Sequence, residues 1–126
     1  METRDIVLGF WQTMQGNDFG KAANEFFSDD FTLFWPQSGE MICGRENFAA
    51  INQNYPCQGE WKFKIISLIV EGNNAVTDVE VTDGVIKARA ITFHQVANGL
   101  ISRQVEYWPD SFPAPEWRKK WVQLVK

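Results

Sequence analysis

WKFKIISLIVEGNNAVTDVEVTDGVIKARAITFHQVANGLISRQVEYW, residues 61–108, decides the class of the fold. Trp61, Phe63 and Ile65 alternate with Lys62 and Lys64, the period of a half-buried strand, and that strand runs on to Val70. Gly72-Asn73-Asn74 reads as a turn, Val76 to Thr82 as a second strand, Val85 to Val96 as a third, and Leu100 to Trp108 as a fourth. Asp83-Gly84 and Asn98-Gly99 separate them, and both pairs are hairpin signals because their residues tolerate positive φ. The stretch is therefore an antiparallel meander.

Upstream of the meander the period changes. Ile6, Val7, Phe10, Trp11 and Met14 recur at spacings of three and four, as on one face of a helix, with Thr3 as its expected N-cap and Gly16 just past its end. Asn17-Asp18 is placed to cap a second helix carrying Phe19, Ala22, Ala23, Phe26 and Phe27, broken by Ser28-Asp29-Asp30. Phe31 to Trp35 is a short aromatic strand stopped by Pro36-Gln37-Ser38-Gly39, and Met41 to Cys43 returns as another. Gly44-Arg45-Glu46 opens a third helix with Phe48, Ile51 and Tyr55 on one stripe, ended before Pro56. Beyond Pro109 a proline-rich tail leads into a last short helix from Pro115 towards Val125. Helices first and then a run of hairpins define an α+β class.

The chain has 126 residues, the length of a single domain (1–126), with no repeat, linker or low-complexity segment. Hydrophobic residues make up 44% and charged residues 22%, a globular balance. Aromatics reach 14%, with ten Phe and six Trp, which signals a thick core or a ring-lined cavity. A net charge of −4 argues against nucleic acid, which demands a basic face. Arg118-Lys119-Lys120 reads as a solvated helix face. Cys43 and Cys57 with the single His94 fall short of a zinc ligand set, so no metal is expected. Met1-Glu2-Thr3-Arg4-Asp5 does not open a secretory leader, and no apolar run approaches a membrane span. The cytoplasm is the expected compartment.

This order of elements resembles the NTF2-like superfamily, and in particular its SnoaL-like branch. The stretch Gly99-Leu100-Ile101-Ser102-Arg103-Gln104-Val105-Glu106-Tyr107-Trp108 looks like that branch's last long strand. Residues 109–118, PDSFPAPEWR, resemble the tail of one of its subgroups, and Phe31 to Phe34 and Gly44-Arg45-Glu46 also fit. The resemblance covers nearly the whole chain. It implies a cone: a curved antiparallel sheet wrapped around three N-terminal helices, with an open apolar pocket and a homodimer through the sheet face. It does not imply one chemistry, because the superfamily includes isomerases, cyclases, dehydratases and plain binders.

The ketosteroid isomerase branch uses an Asp base, with a Tyr and a protonated Asp as oxyanion donors. The matching positions in this chain are Trp35, Phe10 and Arg89. All three isomerase groups are changed, which argues against that chemistry and leaves a pocket walled by Phe10, Trp35 and Trp108. If Trp108 points inward, so do Glu106 and Gln104, since side chains alternate with period two. Glu106 would then face Arg89, as an ion pair holding the wall, as a proton-transfer carboxylate, or with Arg89 gripping a substrate anion. His94 has the intrinsic pKa of a general acid–base, but its parity is opposite to that of Arg89, which favours a surface or interface place unless a bulge intervenes. Asp78 and Glu80 read first as a solvated or interface face. Tyr55 and Tyr107 could each offer a hydroxyl to a pocket, core packing being the commoner role. Cys43 is expected to be a small buried residue and Cys57 a loop residue.

The expected function is a small-molecule pocket acting on an apolar, oxygen-bearing ligand without cofactor. In one reading it is an isomerase, cyclase or dehydratase that moves a proton beside a carbonyl through Glu106, Arg89 and His94, with Phe10, Trp35, Trp108, Tyr55 and Gln104 around the ligand. The rivals are a binding module without chemistry and a dimeric interaction protein.

Overall fold

Helix α1 (Thr3–Gln15) turns Ile6, Val7, Phe10, Trp11 and Met14 into the interior, as their spacing requires. The computed structural model describes residues 2–125. The cap of α1 is Glu2 rather than Thr3, and the Asp5 carboxylate accepts the Glu2 N–H at 3.3 Å. Thr3 instead donates its hydroxyl to the Gly72 carbonyl at 2.9 Å, tying the helix start to a sheet turn. Gly16 stays right-handed, and the left-handed residue after the helix is Asn17, at φ 58. Asp18 caps α2 (Phe19–Phe26) by accepting the Lys21 N–H at 3.0 Å.

Strand β1 (Phe27–Trp35) begins earlier than the polar triplet Ser28-Asp29-Asp30 suggests. That triplet falls in a register irregularity of β1, not in a break, and Arg45 reaches back to pair with Asp29. Strand β2 (Glu40–Cys43) returns antiparallel, and Gly44, at φ 88, opens α3 (Arg45–Asn54). Then come β3 (Lys62–Glu71), β4 (Asn74–Thr82), β5 (Lys87–Ala97) and β6 (Leu100–Tyr107). They form one open sheet in the order β2-β1-β6-β5-β4-β3. All neighbours are antiparallel except β1 and β6, which run parallel. Register shifts interrupt the β1–β6, β3–β4 and β5–β6 ladders, and such bulges raise local twist and bend a sheet. The curved sheet and its helices make the α+β cone that the sequence predicts.

The core sits in the concave side. Phe27 and Phe31 stack with ring centroids 3.6 Å apart, Phe48 meets Phe27 edge-on at 4.8 Å, and Phe10 packs on Phe27 at 5.2 Å. The start of β3 lies on the sheet's open edge, and side-chain amides serve as its missing neighbour. Asn17 donates to the Trp61 carbonyl at 2.7 Å and accepts the Trp61 N–H at 2.9 Å, and Gln15 holds both backbone groups of Phe63 in the same way. These pairs occupy backbone groups that would otherwise invite another strand.

The tail departs from expectation. A 3-10 helix spans Glu116–Trp121 only, and Phe112, Trp117, Trp121 and Leu124 are exposed. Cys43, expected to be buried, is exposed on β2, and Cys57 is exposed too; both are free. No helix among the described residues is long and apolar enough to cross a membrane.

Candidate functional site

Between α1, α3 and the inner face of the sheet lies a cavity of about 150 Å³. Phe10, Trp35, Phe48, Trp61 and Trp108 wall it, and Tyr55 stands at its rim, 48% exposed. Besides the Tyr55 hydroxyl and the indole N–H groups, Asn52, Gln104 and Glu106 bring polar side chains to it. Asn52 donates to the Phe48 carbonyl of its own helix at 2.9 Å.

Glu106 is 7% exposed and is held from three directions. The indole N–H groups of Trp35 and Trp108 donate to Oε1 at 3.0 and 2.9 Å, and the Thr92 hydroxyl donates to Oε2 at 2.6 Å. Each donor follows from strand geometry. Thr92 lies directly opposite Glu106 in the β5–β6 ladder, Trp108 is two residues on and so on the same side, and Trp35 continues the inward alternation of Phe31 and Leu33 on β1. Among the described residues no cationic side chain pairs with Glu106, and none lines the cavity. The donors nearest the carboxylate are thus all directed at it.

Arg89 does not face this carboxylate, contrary to the sequence reading. It lies on the outer face of β5, 44% exposed at its side chain, with Nε and Nη2 donating to the two Asp78 oxygens at 2.5 and 3.0 Å. Hydrogen bonding to Asp78 raises the Arg89 pKa above its ordinary value. Asp78 is accordingly an outer-face residue, as is the exposed Glu80, while Thr77, Val79 and Val81 point in. The position of β5 that does line the cavity there is Ala88, which offers no hydrogen bond.

His94 is corrected in the opposite sense. It is 2% exposed, so the surface or interface role fails, yet it does not line the cavity and so does not join Glu106. Gln104 lies directly opposite it and donates its amide to Nδ1 at 2.9 Å. The ring proton then sits on Nε2, 2.9 Å from Thr77 Oγ1, which also accepts the Trp11 indole N–H at 3.2 Å. Burial pushes the His94 pKa down to about 3, so the ring is neutral at physiological pH. Gln104 and Trp11 both line the cavity and both hydrogen-bond into this buried relay.

The cavity brings together Phe10, Trp35, Trp108, Tyr55, Gln104 and Glu106, and leaves out Arg89 and His94. Tyr107 is on the outer face, packed edge-on against Phe93 at 6.2 Å. The sequence reading missed Thr92 and Trp61. A hydroxyl opposite Glu106 was the available signal for Thr92, but it requires the strand register. Asp83, read only as a turn residue, accepts the N–H groups of Gln58, Val85 and Ile86 at 2.8, 2.9 and 2.7 Å, which fastens the loop at the cavity mouth to the β4–β5 turn. Those backbone donors lower its pKa. Among the described residues no group of three or more His, Cys, Asp or Glu side chains is placed to hold a metal ion.

An open, bulged sheet closing on helices around one apolar chamber defines a pocket domain of the NTF2-like type. Residues 7–104 match the SnoaL-like domain, and the chain belongs to that family. It is similar to a candidate ketosteroid isomerase from Kribbella flavida at 29% identity, covering 98% of this chain and 90% of that one, with a TM-score of 0.88. An NTF2-like protein of unknown function from Burkholderia xenovorans is 30% identical, with 98% and 95% covered and a TM-score of 0.80. A candidate SnoaL-like polyketide cyclase from Jannaschia sp. CCS1 shares the fold at 16% identity, with 84% of each chain covered and a TM-score of 0.71. No curated protein matches the chain.

Proposed function

We propose that this protein binds a small, largely apolar molecule inside the cone, with the Glu106 carboxylate as the group that orients it. The supporting observation is the single buried carboxylate in a largely apolar, ring-walled chamber. An apolar cavity of this volume suits a molecule of roughly benzene size. Binding is favoured over carbonyl enolisation because the Trp35, Trp108 and Thr92 donors are directed at Glu106, whereas enolate chemistry calls for donors aimed at the substrate oxygen. Native mass spectrometry of the purified protein is expected to reveal a retained small molecule, and Glu106→Gln to lower its occupancy. Unchanged occupancy in that variant would remove Glu106 from the site.

Proton transfer by Glu106 alone is the second reading, supported by the likeness to a candidate ketosteroid isomerase. It requires catalysed exchange of an acidic C–H of a bound ketone that disappears in Glu106→Gln. Absence of exchange in the native protein leaves the binding reading.

The protein also acts as a homodimer through the outer sheet face, working in the cytoplasm. Ile69, Val76, Phe93, Val105, Phe34 and Met41 stand opposite one another in register, one from each of the six strands. Ile69, Phe93 and Met41 are exposed, and an apolar band of that breadth is characteristic of a contact surface.

A further inference from the structure

Resting on the binding reading above, we propose that the chamber selects a small organic cation, a quaternary or protonated tertiary amine, over neutral and anionic molecules of the same shape. Three observations converge. First, Glu106 is buried in the chamber without a cationic partner among the described residues. A carboxylate compensated only by dipoles in a poorly solvated site gains strongly from an added positive charge, since Coulomb attraction grows as the effective dielectric falls. Second, Phe10, Trp35, Trp61 and Trp108 wall the space around it. In a cavity of about 150 Å³ a bound ammonium stands within the roughly 6 Å reach of ring attraction. Third, the donors around the carboxylate and the two cavity amides are already engaged within the protein. The two indole N–H groups and the Thr92 hydroxyl are directed at Glu106, Gln104 at His94 and Asn52 at Phe48. With Ala88 on the wall and Arg89 on the far side of the sheet, no positive side chain among the described residues competes for the carboxylate.

The size of the chamber and its mixture of one charge with several rings set the class. The occupant's methyl groups contact the aromatic walls, and its charge lies beside Glu106. An anion of the same shape is excluded by repulsion from Glu106.

The test uses three probes built on a tetrahedral, methyl-bearing centre, applied to the intact protein: tetramethylammonium, tert-butanol and the slightly larger pivalate. Binding is followed by calorimetry and by the indole N–H resonances of Trp35 and Trp108. Tetramethylammonium is expected to bind at least about tenfold more tightly than tert-butanol, the increment that cation–ring and charge attraction supply, with pivalate weakest. In Glu106→Gln, which keeps an acceptor for the indoles, the preference is expected to vanish while tert-butanol binding persists. Equal binding of cation and alcohol, or a preference that survives in Glu106→Gln, overturns the cation assignment and leaves the pocket intact. If no probe moves either indole resonance, the pocket reading falls, and the cation assignment falls with it.

Discussion

At the scale of single residues, two buried polar groups on neighbouring strands have different duties. Glu106 faces the chamber and is positioned by three donors, whereas His94 lies behind it and is kept neutral. Removing one donor should be felt at once: Thr92→Val is expected to destabilise the fold by about 1.5–3 kcal/mol, the usual worth of a hydrogen bond to a charged group, as read by urea unfolding. His94 governs acid sensitivity. Its folded pKa of about 3 lies below the ordinary histidine value of 6.5. The unfolded chain therefore binds the extra proton first as pH falls. The stability this contributes is complete above about pH 6.5 and declines through the window down to about 3, by at most about 1.4 kcal/mol per pH unit. Urea midpoints between pH 7.5 and 4.5 should show this slope, and His94→Gln should flatten it. A slope unchanged in the variant would assign the acid sensitivity elsewhere. Asp83 works in the same direction at lower pH, since its lowered pKa means its stabilising contribution is lost as pH falls through the folded value.

At the scale of elements, a one-residue bulge decides which side chains enter the chamber. From the Asn98-Gly99 turn the ladder pairs Ala97 with Leu100 and Val96 with Ile101, then shifts so that Gln95 meets Arg103 and Thr92 meets Glu106. The extra residue is Ser102. Without the shift Glu106 would stand opposite Ile91 and share a face with Arg89, which is the arrangement a regular hairpin predicts. Alternation along β6 was therefore legible, and Gln104, Glu106 and Trp108 do line the cavity. The facing strand was not legible, because a bulge at a serine carries no periodic signal. The open edge of β3 supplies a second test. Asn17 combines a positive φ with both hydrogen bonds to Trp61. Asn17→Gly keeps the backbone freedom and loses the amide, at about 1–2 kcal/mol. Asn17→Ala adds the left-handed strain of about 1–2 kcal/mol and should be the less stable of the two by thermal melting.

At the scale of the whole molecule, one side of the sheet closes a chamber and the other presents an apolar band from β3 to β2. Burial of that band against a second copy is the expected state in solution. Light scattering on a sizing column should give twice the chain mass for the native protein and the single-chain mass for Phe93→Glu. Phe93 is the right probe because it stands mid-band, exposed, with the Tyr107 ring beside it. A monomer in the native protein at micromolar concentration contradicts the dimer. Ligand binding by a monomeric Phe93→Glu protein would show that the chamber is complete within one chain.

The amino-acid sequence by itself determined the class, the order of elements and the ring-lined character of the interior. Those properties rest on local signals: helical spacing in Ile6 to Met14, alternation along the strands, and turn pairs such as Asp83-Gly84. Alternation put Gln104, Glu106 and Trp108 on one side of β6, and the resemblance made that side the chamber wall, with Trp35 opposite. Tertiary structure alone decided that Arg89 belongs to Asp78 on the outside, that His94 is buried, and that Thr92 completes the setting of Glu106. The physical reason is that relations between strands depend on register, and a shift of one residue exchanges the two faces of a sheet while leaving every local pattern unchanged.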